Sequence, residues 1–251
     1  MGGRGGADLP LHRRPPAWGG GRGGLMADLF AALPPLGRVA HPLLSGRKVR
    51  LIGVSAILYD DAVFYFEVSR SRYWGQRADG TISVGIGGIG GGIEAGEGVM
   101  ACLRREVREE LGVRLRLEIP GRTALIHGGE VAGWLELPPS RKHPTPYLVN
   151  LLPPRLGGAE VPDHLAILTF LGRPRGRPRR RDLFGLLTVA RSALGEFLAR
   201  DEWPLEEALA HPALTFDLEA DLPPGSVLRP VLTARALQTL VRHGGVPPEL
   251  A

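Results

Sequence analysis

The sequence predicts an α/β fold, and three observations carry that prediction. Short apolar runs of strand length, separated by turn residues, recur from Val49 to Leu171. A single strongly amphipathic helix, Val99 to Leu111, interrupts them. Leucines at helical spacing then return from Asp182 onward. The 251 residues allow one domain with extensions or two small domains. No run of about 18 or more apolar residues occurs, so no helix is expected to cross a membrane. The formal net charge is +5, and Lys48 and Lys142 are the only lysines, so arginine supplies nearly all of the positive charge. Such a chain favours anionic partners such as nucleotides; the Arg, Gly, Pro and Ala usage also fits the coding bias of a GC-rich genome. The lone cysteine, Cys102, excludes an intrachain disulfide. The N-terminus has no compact apolar leader core, so a cytoplasmic protein is expected.

Taken in order, residues 1–25 are a Gly/Arg/Pro-rich tail without periodicity, expected to be disordered. Its arginines can touch nucleic acid; the plainer readings are an inert extension or a chain that starts at Met26. Residues 26–47 read as a lead-in segment with a short helix. Val49–Leu58 and Val63–Val68 flank Asp60-Asp61 and read as a hairpin. Arg70, Arg72, Tyr73, Trp74 and Arg77 follow. Arg72, Trp74 and Arg77 are the candidate substrate contacts, guanidinium for phosphate and indole for a base; the competing reading is a polar loop anchored by its Trp. Thr81–Ile86 is a strand, and Gly85 to Gly92 holds six glycines, a run that lets backbone approach an anion closely.

Within Val99–Leu111, Met100, Leu103, Val107 and Leu111 form one apolar stripe, and Glu106, Glu109 and Glu110 occupy the adjoining face. Arg104 and Arg108 fall on the solvent side, and Gly112 is placed to end the helix in a left-handed cap. Like-charged neighbours on a helix repel by a few tenths of a kcal/mol per pair (~0.2–0.5). A bound divalent cation would turn that repulsion into a site. Hard cations such as Mg²⁺ or Mn²⁺ prefer oxygen ligands. Glu94 and Glu97, in the loop before the helix, can fold back to the same spot, and Arg105 is placed to fix a carboxylate. The bland alternative is a solvated acidic helix face.

Segments Val113–Ile119, Thr123–Ile126, Val131–Leu137, Tyr147–Leu152 and Leu165–Leu171 read as further strands, with a Pro-rich loop over residues 138–146. Arg173–Arg181 reads as a basic loop, able to clamp phosphates or meet RNA, or simply solvated. Asp182–Arg200 is expected to be a helix capped by Asp182. Residues 202–251, with short helices at Pro204–His211 and Pro230–His243, are expected to form a C-terminal helical extension to a domain spanning residues 48–201.

Counted from Gly91, the chain reads Gly, five residues, Glu97, seven residues, Arg105-Glu106-Val107, one residue, Glu109-Glu110, one residue, Gly112-Val113. All nine fixed positions resemble the Nudix box of the Nudix hydrolases. Gly90 stands where many members carry proline, a departure that bears on loop rigidity rather than on the metal site. The resemblance implies an α/β/α sandwich with a mixed sheet, and hydrolysis of a nucleoside diphosphate linked to another moiety with Mg²⁺ or Mn²⁺ as cofactor. It implies Glu97, Glu106, Glu109 and Glu110 as metal ligands, and Glu109, Glu110 and Arg105 as the catalytic residues, Arg105 orienting the carboxylates. The general base is one of these glutamates or an acid from a distant loop, for which Asp163 and Asp182 are candidates. His127 and His164 are read as structural or surface residues. Proline and tyrosine are missing after Val113 at the offsets associated with ADP-ribose or diadenosine polyphosphate members. Coenzyme A and NADH signatures are missing too, so the implied substrate stays generic. The expected partner is a nucleotide-type small molecule; a homodimer is compatible with the sequence. Two competing functions remain: a non-catalytic nucleotide sensor, against which the intact glutamates argue, and an RNA-interacting protein that uses the Arg-rich segments.

Overall fold

The computed structural model describes residues 27–138, 140, 142–154, 161–248 and 250. The tail expected over residues 1–25 lies outside them. The described chain opens with strand β1 (Ala27–Asp28) and helix α1 (Leu29–Ala32). Asp28 caps this helix, its carboxylate accepting from the N–H groups of Phe30 and Ala31 at 3.0 and 2.9 Å. Leu29, Leu33, Leu36 and Leu44 are all buried, so the lead-in segment is part of the core.

Strands β2 (Val49–Tyr59) and β3 (Val63–Val68) form the expected hairpin. Asp60 closes it, accepting from the N–H groups of Ala62 and Val63, both at 2.9 Å. Then come β4 (Gly75–Gln76), β5 (Ile82–Gly87), β6 (Ile89–Gly91) and helix α2 (Val99–Leu111). Five strands follow, each where the apolar runs place it: β7 (Arg114–Glu118), β8 (Thr123–His127), β9 (Glu130–Leu135), β10 (Leu148–Leu152) and β11 (His164–Arg175). The last runs on through Arg173 and Arg175, so part of the expected basic loop is strand.

The helix expected over Asp182–Arg200 is not formed. Its first half is strand β12 (Gly185–Ala190), antiparallel to β3; after a 3-10 turn at Arg191–Ala193, only Leu194–Ala199 is α-helical, α3. The reason is burial on both faces. Leu186 enters the core on the α2 side of the sheet, while Leu187 and Val189 enter the opposite one. A short apolar run buried on both sides reads alike as strand or helix.

The segment after residue 201 is likewise mixed rather than helical. It holds β13 (Trp203–Pro204), α4 (Leu205–Ala210), β14 (Leu214–Leu218), β15 (Val227–Pro230) and α5 (Leu232–Gly244). Strand β15 lies parallel to β5, with Arg229 opposite Gly85, and β14 pairs with β12. The main path across the mixed sheet runs β13-β15-β5-β3-β2-β11-β10-β8-β9.

Two cores flank the sheet. On one face Leu103, Val107 and Leu111 of α2, with Leu29 and Leu36, pack against Val54, Ala56 and Leu168. On the other, Leu194 and Phe197 of α3 and Leu237 and Leu240 of α5 pack against Ile57, Phe66 and Ile86. The result is three layers, helix, sheet and helix. Under the first turn of α5, buried hydroxyls satisfy one another: Ser55 bonds Thr169 at 3.0 Å and Thr233 at 2.7 Å.

Candidate active site

Helix α2 places its carboxylates. Val99, Cys102, Leu103, Val107 and Leu111 are buried, and Glu110 is buried with them at 8% exposure, whereas Glu109 is exposed. The three glutamates thus do not share one open face: Glu110 points into the sheet and Glu109 outward. Gly112 ends the helix with φ +69° and its N–H on the Arg108 carbonyl. The C-terminal carbonyls of α2 find further donors outside the helix. Arg179 N–H donates to Leu111 at 3.1 Å, Arg181 N–H to Glu110 at 2.9 Å and Asp182 N–H to Glu109 at 3.3 Å. The basic segment read as a phosphate clamp or solvated loop therefore docks on the end of the glutamate-bearing helix.

Arg105 gathers the acids. Its Nε and Nη2 donate to Glu97 at 2.9 and 3.0 Å, Nη1 to Glu106 at 2.8 Å and to Glu109 at 3.1 Å, and Nη2 also reaches the Gly92 carbonyl at 3.1 Å. The loop is closed on itself by Glu94 N–H donating to the Glu97 carboxylate at 3.1 Å. Strand β6 brings glycines close: Gly90 N–H donates to Glu110 Oε2 at 3.0 Å, and a Cβ on Gly91 would lie 2.3 Å from Glu106 Oε1. Glycine leaves that space to the Glu106 carboxylate, which a larger residue would turn aside.

The electrostatics divide the cluster. Arg105 hydrogen bonding holds Glu97 below the usual carboxylate range. Burial pushes Glu106 up, against the pull of Arg105. Burial, then the charges of Glu67 and Glu106, push Glu110 well above it, while Gly90 N–H opposes them.

Glu67 was not among the expected site residues. It sits on β3 opposite Gly87, and burial raises it to about 7, with Arg70 opposing and Glu106 adding to the shift. The sequence carried one signal, a lone glutamate in the otherwise apolar strand Val63–Val68.

The remaining candidates separate. Arg72 lies over the Tyr73 ring, 4.7 Å from its centroid, and its charge acts on Glu67. Trp74 is an anchor: its indole N–H donates to the Ser69 carbonyl at 2.7 Å and its ring meets Phe184 edge-on at 5.6 Å. Arg77 is ion-paired with Glu202. Of the three expected substrate contacts, Trp74 and Arg77 are engaged elsewhere, and Arg72 is the one whose charge acts on Glu67. Asp182 is not a helix cap. It is paired with Arg70, and its charge acts on Glu67 and Glu110. Asp163 accepts from Lys48 N–H at 2.7 Å and pairs with Arg47, and His127 meets His164 edge-on at 5.0 Å.

Among the described residues, no three His, Cys, Asp or Glu side chains are already drawn around one point; Arg105 supplies the cation that Glu97, Glu106 and Glu109 now face. The donor set still fits a hard divalent cation. It consists of carboxylate oxygens, and buried Glu110 accepts from Gly90 N–H and, among the described residues, has no guanidinium in ion-pair contact.

Residues 49–182, more than half of the chain, match the NUDIX domain family. The chain belongs to the Nudix family and is a pyrophosphohydrolase of that kind. Similar solved structures include the E. coli ORF135 protein, 15% identical over 58% of this chain and 78% of that one, with a TM-score of 0.32. The mutator MutT protein of Bacillus halodurans is 14% identical over 57% of this chain and 71% of that one, TM-score 0.29. A MutT NUDIX hydrolase from Burkholderia pseudomallei is 17% identical over 77% of this chain and 97% of that one, TM-score 0.28. No curated protein matches the chain.

Proposed function

We propose that this protein is a cytoplasmic, divalent-cation-dependent hydrolase that cleaves the diphosphate linkage of a nucleoside diphosphate joined to another moiety. One observation carries the reading: a complete Nudix box in which Arg105 gathers Glu97, Glu106 and Glu109 while Glu110 is buried against Gly90. In this reading Glu97, Glu106, Glu109 and Glu110 hold Mg²⁺ or Mn²⁺. Exposed Glu109 is free to turn from Arg105 toward the cation, and Arg105 keeps Glu97 and Glu106 in place. When bound, the cation neutralises charge that develops on the diphosphate and lowers the pKa of bound water. In this reading Arg72, whose charge acts on Glu67, meets a phosphate of the substrate.

The test is a hydrolysis panel of ADP-ribose, NADH, diadenosine polyphosphates, nucleotide sugars, coenzyme A and nucleoside triphosphates, each with Mg²⁺ or Mn²⁺. The Glu110→Gln protein serves as the blank. Turnover of one compound, lost in the blank, is the expected result and names the substrate class. Silence across the panel from a folded, Mn²⁺-binding protein would instead favour a nucleotide sensor.

A further inference from the structure

We propose that Glu67 is a cation-holding carboxylate of this site, so that strand β3 and helix α2 supply the ligand set together. The inference rests on the metal-dependent reading above and extends it to a residue outside the box.

The strand is the first ground. β3 reads Val-Phe-Tyr-Phe-Glu-Val. Phe64, Phe66 and Val68 enter the core on the α5 side and Tyr65 enters the core on the α2 side. Strand alternation therefore turns Glu67 toward α2. A lone acid on an inward position of a strand that is otherwise apolar is costly to desolvate, and such breaks in a local pattern are expected at functional sites.

The glycines are the second ground. Gly87 stands opposite Glu67, and a Cβ there would lie 3.6 Å from Glu67 Oε2. Gly91 leaves the space that Glu106 fills. The Gly-rich segment thus runs beside two carboxylates from different elements, in ordinary contact distance of Glu67 and close against Glu106, next to the Gly90 N–H that holds Glu110.

The balance of cations is the third. Arg105 serves Glu97, Glu106 and Glu109, and Arg70 is committed to Asp182. Glu67 and Glu110 act on one another as like charges. Among the described residues, neither has a guanidinium in ion-pair contact. Arg70 and Arg72 act on Glu67 only through their charge; a divalent cation between Glu67 and Glu110 supplies the direct contact that neither makes.

The experiment is a Mn²⁺ titration of the full chain, read by the electron paramagnetic resonance signal of free Mn²⁺, for the wild type, Glu67→Gln and Glu110→Gln. Glu67→Gln is expected to weaken Mn²⁺ binding by about tenfold or more, while its circular dichroism and metal-free melting temperature match or exceed those of the wild type. Wild-type Mn²⁺ affinity in Glu67→Gln, with affinity lost in Glu110→Gln, overturns the inference and leaves the proposed function standing. Wild-type affinity in both variants overturns the two together. Should Glu67→Gln fail to fold, the wild-type protein decides through ¹³C carboxyl spectroscopy with Mg²⁺ added. A Glu67 carboxyl signal that shifts as Mg²⁺ binds supports the inference, and an unmoved one overturns it.

Discussion

At the scale of single residues, Arg105 shows why spacing alone could find most of the cluster. Glu109 lies four positions along the same helix, where helical geometry sets it beside Arg105; Glu106 is the next residue, reached by the long guanidinium arm rather than placed by the helix. Glu97 joins them because a short glycine-flanked loop folds back. Replacing Arg105 with lysine keeps a charge but not a planar fork able to hold Glu97 through two nitrogens while reaching Glu106. Arg105→Lys is expected to lower kcat/KM and Mn²⁺ affinity about 10–100-fold with the fold intact, measured by steady-state kinetics beside circular dichroism. Unchanged values would mean that the fork is ornamental to the site. Glu67 was not legible this way, because its neighbours lie across strands and no periodicity links β3 to α2.

His164 carries a pH prediction at the same scale. Burial, then the adjacent His127, hold it below the ordinary histidine value of 6.5. The folded chain therefore takes up its proton less readily than the unfolded chain does. The stability linked to the neutral ring is present above pH 6.5 and is lost as the pH falls through the lower folded value. The melting temperature of the wild type is expected to drop about 1–3 °C more than that of His164→Gln between pH 7 and pH 5. Parallel pH profiles would remove His164 from the account.

At the scale of elements, α2 was legible end to end: Val99 to Leu111 is both the predicted and the observed helix. Its amphipathic stripe and its glycine stop are local signals. Its second support, the backbone of Arg179–Asp182 on its last carbonyls, was not legible, because nothing in a run of arginines says what their N–H groups will meet. Leu103 is fully buried in the stripe. Leu103→Ala should lower stability by about 2–5 kcal/mol in urea unfolding, while Cys102 and Val107 beside it keep the helix apolar. A loss under ~1 kcal/mol would mean that the site collapses around the gap. The failed helix at Asp182–Arg200 has the opposite cause: the leucine spacing was real, but β3 and β14 offer strand partners on either side of β12.

At the scale of the whole molecule, the boundary drawn after residue 201 divides what the structure joins. Strand β15 extends the sheet beside β5, and α5 closes the core that α3 begins, covering Ile86, Phe66 and Ile57. The local patterns at Pro204–His211 and Pro230–His243 were read correctly as helices near those positions, α4 and α5. What they could not show is that Val227–Pro230 pairs with a strand some 140 positions earlier. A chain ending at residue 201 would leave Leu194, Phe197 and Val84 facing water where Leu237 and Leu240 now lie. At about 1.5–3 kcal/mol for each large apolar side chain left exposed, a few such losses equal the whole stability of an ordinary domain, about 5–15 kcal/mol. The truncated protein is expected to melt without a cooperative transition and to be digested rapidly under limited proteolysis that the full chain survives. A sharp thermal transition from residues 1–201 alone would show instead that α2 and its sheet form a self-sufficient unit, with β13 to α5 added onto a core that is already closed.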